Sequence, residues 1–316
     1  AAVHQPHAPL HRHPGQSSPI RLVPAPAGAV EQHGSIAAQR LVAAGLGLVV
    51  AGWRARAVTG WVDIVFTVDV NGFVRDMVFA RYFGASLVMD AFLVAQRIPN
   101  MLRRFFAEGA FSAGFVPVMA RYKEQHGHDE ARQYVDAMAG TFGVVLFIVT
   151  VAGVIGAPLL VLVVAPGFVG DGGDFDLAAL MLRFTFPYLF FVSLTAFAGG
   201  ILNTYGRFGV PAFTPVILNV VLIAAAVWVA PLLEQPIMAL AYAVFIAGLC
   251  QLLFQIPFLM RIRALPRPKW AIGHEGVRRA GKLMLPALFG VSVTQLNLLL
   301  DTLIASFLVS GSISWL

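Results

Sequence analysis

The chain has 316 residues, of which 58% are hydrophobic and only 12% charged. A soluble domain carries roughly 25% charged residues, so this chain lacks the polar surface to cover a body in water. Its formal net charge of +6 then reads as basic loops held at a membrane surface and not as a nucleic-acid footprint.

Several apolar runs approach or exceed the roughly 20 residues a helix needs to cross a bilayer. The pattern predicts an all-α polytopic membrane protein; a β-barrel would show short alternating segments instead. Residues 1–35 hold His4, His7, His11 and His13 among Pro, Ala, Gly and Ser. No helix or hairpin pattern orders these side chains, so a disordered extension is expected and not a metal tract. Residues 36–71 are anomalous. The apolar part from Leu41 to Trp53 is too short to span, and Asp63 and Asp69 interrupt the start of the first span. The composition shift at Gly72 suggests that residues 1–71 arise from a wrong frame or a wrong start.

Candidate spans lie at about 62–83, 87–121, 133–165, 177–203, 210–232, 237–260 and 283–309, about seven in all. The loops between them alternate. Arg121, Lys123 and Arg132 flank one, and Asp171, Asp174 and Asp176 the next. Arg207 is followed by a loop holding only Glu234, and that by a segment with Arg261, Arg263, Arg267, Lys269, Arg278, Arg279 and Lys282. The positive-inside rule puts the basic loops in the cytoplasm. The expected organisation is a lobe over 72–262, a basic loop over 263–282 and the first span of a second half over 283–316. Cys250 lies alone in an apolar run and reads as an inert buried thiol.

The second span is the informative one. It carries Asp90, Arg97, Arg103, Arg104 and Glu108, and a charge at the bilayer centre costs at least about 2.5–3.5 kcal/mol. Asp90 and Arg97 lie nearer one end and are expected to snorkel to the interface. Arg104 and Glu108 are spaced to pair along one helix face. Arg103 points about 100° away from Arg104. A buried ion-pair network that only fixes packing is one reading. The favoured one is a water-filled cationic cavity, because guanidinium forks match diphosphate and carboxylate oxygens. Prolines recur within the spans, at Pro99, Pro158, Pro187, Pro211, Pro215, Pro257 and Pro286, and bend helices.

The stretch "GFVRDMVFARYFGASLVMDAFLVAQRIPNMLRRFFAEGAFSAGFVPVMARYKEQHG" resembles the signature of the MurJ/MviN family of lipid II flippases. "MLRFTFPYLF", "GGILNTYGRFGVPAFTPVILN" and "LFGVSVTQLNLLLDTLIASFLVSGSISW" continue the likeness from about Gly72 to Leu316. The family belongs to the multidrug/oligosaccharidyl-lipid/polysaccharide exporter superfamily. The resemblance implies the N-terminal helical lobe of a MurJ/MATE-like transporter, truncated, in the bacterial cytoplasmic membrane. It implies transport of lipid II, the undecaprenyl-diphosphate-linked peptidoglycan precursor, by alternating access. By the same likeness, Arg75, Asp90, Arg103, Arg104 and Glu108 match substrate-binding positions, and Asp301 a position that helps bind a coupling cation. Whether Asp301 holds a cation or partners a cavity arginine stays open. One departure stands out: Asp69 occupies the place of a family arginine.

No cofactor or catalytic role is expected, only sodium, protons or the membrane potential as a driving force. Expected partners are lipid II, membrane lipids and the cell-wall synthesis machinery. Other exporters of the superfamily, a membrane enzyme acting on polyprenyl diphosphates and an inactive flippase fragment are the competing readings. The enzyme would need Asp clusters or paired His and Arg groups inside the apolar cores.

Overall fold

The computed structural model describes residues 60–125, 127–169 and 174–307. The expectations for residues 1–59 and for the last loop lie outside the described residues. Among the described residues all regular structure is helical. In chain order the helices are α1 (Gly60–Tyr82), α2 (Leu87–Arg103), a π-helical turn (Arg104–Glu108) and α3 (Gly109–Gln125). Then come α4 (Gly127–Ile155), α5 (Ala157–Val164), α6 (Asp174–Thr185), α7 (Tyr188–Thr204), α8 (Gly209–Ala224), α9 (Met238–Arg261) and α10 (Glu275–Ala305).

These segments fall on the seven expected spans, with physical differences. Among the described residues four runs are long and apolar enough to cross a membrane: Gly127–Ile155, Phe175–Thr204, Gly209–Leu232 and Met238–Arg261. The parts of α10 make a fifth, bent by 49°. The two N-terminal segments fall short of that measure, because charges interrupt them; α2 alone holds Asp90, Arg97 and Arg103 in 17 residues. The expected third span divides into α4 and the short α5, where Pro158 starts a new helix. Of the segment expected as a basic loop, 263–282, the residues from Glu275 on are already helical.

Local chemistry explains the ends. Ser86 caps α2, its hydroxyl accepting from the Met89 N–H at 3.4 Å. At the end of α9 the Ala264 N–H donates to the Leu259 carbonyl at 3.0 Å, and the Arg263 N–H to that of Met260 at 3.1 Å. This is a Schellman closure, with Arg263 at φ 56° where glycine is usual.

The outer faces are apolar. Along α4, Val144, Val145, Phe147, Ile148, Val151 and Ile155 are exposed, a surface that water would not tolerate but lipid does. Inside, the core divides into two clusters. One joins α2, α5, α6, α7 and α9 around Phe92, Leu182, Leu189 and Leu240. The other joins α3, α4 and α7 around a run of rings, with Phe111 against Phe142 at 4.5 Å and Tyr134 against Tyr122 at 5.1 Å. Single helices pass from one cluster to the other. Helix α7 gives Val192 to the first and Phe197 to the second; α9 gives Val244 and then Leu259. Polar side chains from several helices meet in the space between them.

At the basic end of the bundle the last helix crosses α3. A methyl at Gly114 would overlap Met284 and the Ala280 carbonyl oxygen, so glycine sets how closely the two helices approach.

Candidate functional site

Between the two core clusters lies a cavity of about 580 Å³, bounded by α2, α3, α7, α8 and α9. Its polar lining comes from Asn100 and Arg103 of α2, Ser112 of α3, Thr195 and Asn203 of α7, Thr214 of α8, and Gln251 and Gln255 of α9. A smaller cavity of about 290 Å³ lies between α2 and α10. It is lined by Gln96, Arg97, Asn100, Arg104 and Gln295. Asn100 faces both, so α2 is the partition.

The adjacent arginines therefore serve different spaces, Arg103 the larger cavity and Arg104 the smaller. The π-helical turn begins at Arg104. An extra residue in the turn shifts the register of the helix beyond it, a device frequent at functional sites.

The other expected site residues are distributed more widely. Arg75 on α1 bonds Asp76, with its Nε at 2.9 Å, and gives Nη1 to the Asn219 side chain at 3.1 Å. It lines neither cavity. Asp90 is buried in the first turn of α2, where the helix dipole favours an acid. The backbone of Glu108 closes the π turn, and its side chain lies outside the described part, as does its pairing with Arg104. Asp301 is exposed on α10, close enough for its charge to act on Arg97.

Arg97 is half-buried against the smaller cavity and donates Nη1 to the Thr302 hydroxyl at 2.6 Å. The sequence reading did not place it at a cavity, although the signal was present in the spacing. Residues 97, 100 and 104 recur on one helical face. Gln251 and Gln255 were passed over entirely, although two amides one turn apart in an apolar helix are unusual.

Among the described residues, no group of three His, Cys, Asp or Glu side chains gathers as a metal site would need.

A bundle of apolar, membrane-length helices around an arginine-bearing cavity defines a multi-pass membrane protein. A family model described as "Lipid II flippase MurJ" matches residues 79–316, and the chain belongs to that family. It is 50% identical over 254 residues to the probable lipid II flippase MurJ of Haemophilus influenzae, covering 78% of this chain and 50% of that protein. It is 49% identical over 251 residues to the lipid II flippase MurJ of Burkholderia cenocepacia, covering 78% and 49%. A solved structure described as "Lipid II flippase MurJ, inward closed conformation" superposes with a TM-score of 0.66 at 27% identity, covering 80% of this chain and 51% of that one. The chain thus spans about half the length of the relatives it matches.

Proposed function

We propose that this chain forms the N-terminal lobe of a flippase that moves lipid II across the bacterial cytoplasmic membrane by alternating access. The observation that carries the reading is Arg103, a cation set in the wall of a 580 Å³ cavity inside an apolar bundle. A cation at such a position attracts an anionic visitor. A guanidinium forks onto diphosphate oxygens. Arg97 and Arg104 add cationic character to the smaller cavity beside it, on the path between α2 and α10. In this reading the basic end of the bundle faces the cytoplasm, and lipid tails cover the exposed apolar side of α4. Arg75, Asp90 and Glu108 belong to the substrate-binding set by family likeness, and Arg75 would reach the lipid only in another state of the cycle, since it lines neither cavity here. Asp301 responds to the driving ion or potential. The lipid is the principal partner, and the enzymes that consume it outside the membrane are the expected neighbours.

The test is complementation. Bacteria depleted of their own flippase are supplied with the full-length gene, and lipid II reaching the outer leaflet is measured by its accessibility to an added hydrolase. Restored growth with restored accessibility supports the reading. Normal membrane levels with neither effect overturn it.

A further inference from the structure

A further cavity, of about 620 Å³, lies between α4, α7 and α9 and shares no residue with the two that hold the arginines. Its lining is apolar throughout the described residues, with Gly143 and Val144 of α4, Leu194 of α7 and Ile256 of α9 among its walls. The connector after α9 closes its basic end with Pro266, Pro268 and Trp270. The groove opens on the face that lipid covers, since Val144 and Trp270 are exposed, as is Leu253 on α9 beside it. An added Cβ at Gly143 would meet no atom within 4 Å. The helix thus leaves this space unfilled, although a larger apolar side chain would gain contacts there.

The rim of the groove is cationic. Arg267 and Lys269 alternate with the lining residues Pro266, Pro268 and Trp270, and both are exposed. Consecutive Cα atoms stand about 3.8 Å apart, so each cation is set at the mouth. Arg261 and Arg263, also exposed, precede them in the chain. Lys269 is answered in part by Asp136, 3.9 Å away. Arg263 and Arg267 meet no acid among the described residues. The ring of Trp270 suits the head-group level of a bilayer. An apolar slot that opens to lipid and ends in unbalanced cations complements a molecule with a hydrocarbon chain and an anionic head. We propose that this groove binds an anionic phospholipid, with one acyl chain seated between α4 and α9 over Gly143 and the phosphate held at the Arg267 rim. The site is separate from the arginine cavities, and the proposal goes beyond the flippase reading without depending on it.

The experiment uses the purified full-length protein, stripped of lipid in detergent. It is titrated with dioleoyl phosphatidylglycerol and with dioleoyl phosphatidylcholine, which share their chains and differ in net charge. Bound lipid is counted by native mass spectrometry. Phosphatidylglycerol is expected to bind at least about fivefold more tightly, the effect of one cation near a membrane surface. Arg267→Gln should reduce its affinity about fivefold and leave phosphatidylcholine within about twofold. Gly143→Phe fills the groove and should abolish the tight site for both lipids. Gly143→Leu is the milder filling and keeps the test decisive if the phenylalanine variant does not fold. Gly143→Ala leaves room for the chain and should bind as the wild type does. Equal affinity of the wild type for the two lipids overturns the site. So does unchanged phosphatidylglycerol affinity in either Gly143→Leu or Arg267→Gln. A wild type that binds neither lipid also overturns it, and a lowered melting temperature in Gly143→Leu would then place a segment of the longer protein in the groove.

Discussion

The Asp136 carboxylate on α4 accepts the backbone N–H of Arg267 at 2.7 Å, tying the connector after α9 to a helix 131 residues earlier. The Lys269 N–H donates to the Asp136 carbonyl at 2.9 Å, and the Lys269 ammonium lies 3.9 Å from the same carboxylate. The basic segment is thus docked, and its backbone is what Asp136 holds. Asp136→Ala is expected to cost about 1–3 kcal/mol, the range for a buried amide losing a charged acceptor. Asp136→Asn retains an acceptor oxygen and should cost less. Thermal unfolding in detergent, with limited proteolysis at residues 262–274, measures both.

Gly140 lies one turn further along α4, where an added methyl would overlap the Lys269 backbone. Gly140→Ala should lift the same connector and cost about 1–3 kcal/mol through overpacking. Since both substitutions act on one contact, their combination should cost less than the sum. Strict additivity in the double variant would show that the connector is held elsewhere.

Arg263 sits at the left-handed position that ends α9. Arg263→Gly should raise stability by up to about 1 kcal/mol, since glycine adopts that conformation without a Cβ penalty. Chemical denaturation would read the gain, and a loss of stability would mean that the arginine side chain makes contacts outweighing the strain.

Arg103 and Arg104 face different cavities, and each is expected to be needed. Replacing either by Ala in the full-length protein should abolish complementation at near-normal protein levels. Lys should rescue only partly, because an ammonium lacks the fork. Full activity of the double Ala variant would remove the arginines from the mechanism. Arg103 variants should lose affinity for undecaprenyl diphosphate, which separates a binding defect from a defect in helix movement.

Asp301 acts on Arg97, which is itself bonded to Thr302. Asp301→Asn leaves that cation unbalanced and should weaken transport and alter its dependence on sodium or pH. Adding Arg97→Gln should recover part of the loss, as charge pairs do when both members are removed. Intact activity with unchanged ion dependence in Asp301→Asn would exclude it from the mechanism.

The sequence alone determined the class, the approximate spans, the basic end and the interest of Arg103 and Arg104. These are local properties: hydropathy sums over neighbouring residues, and a cation in an apolar run is conspicuous without any partner. The tertiary structure decided which polar groups meet. The meeting of Arg97 with Thr302 was invisible in the sequence, because the two are 205 residues apart. Asp136 carried no signal, since what it binds is a backbone N–H present in every loop. Gln251 and Gln255 both donate to Thr214, a meeting that only the packing of α8 against α9 supplies. Hydrophobic periodicity says which face of a helix is buried, but the direction of a hydrogen bond depends on the group opposite, and packing alone supplies that group.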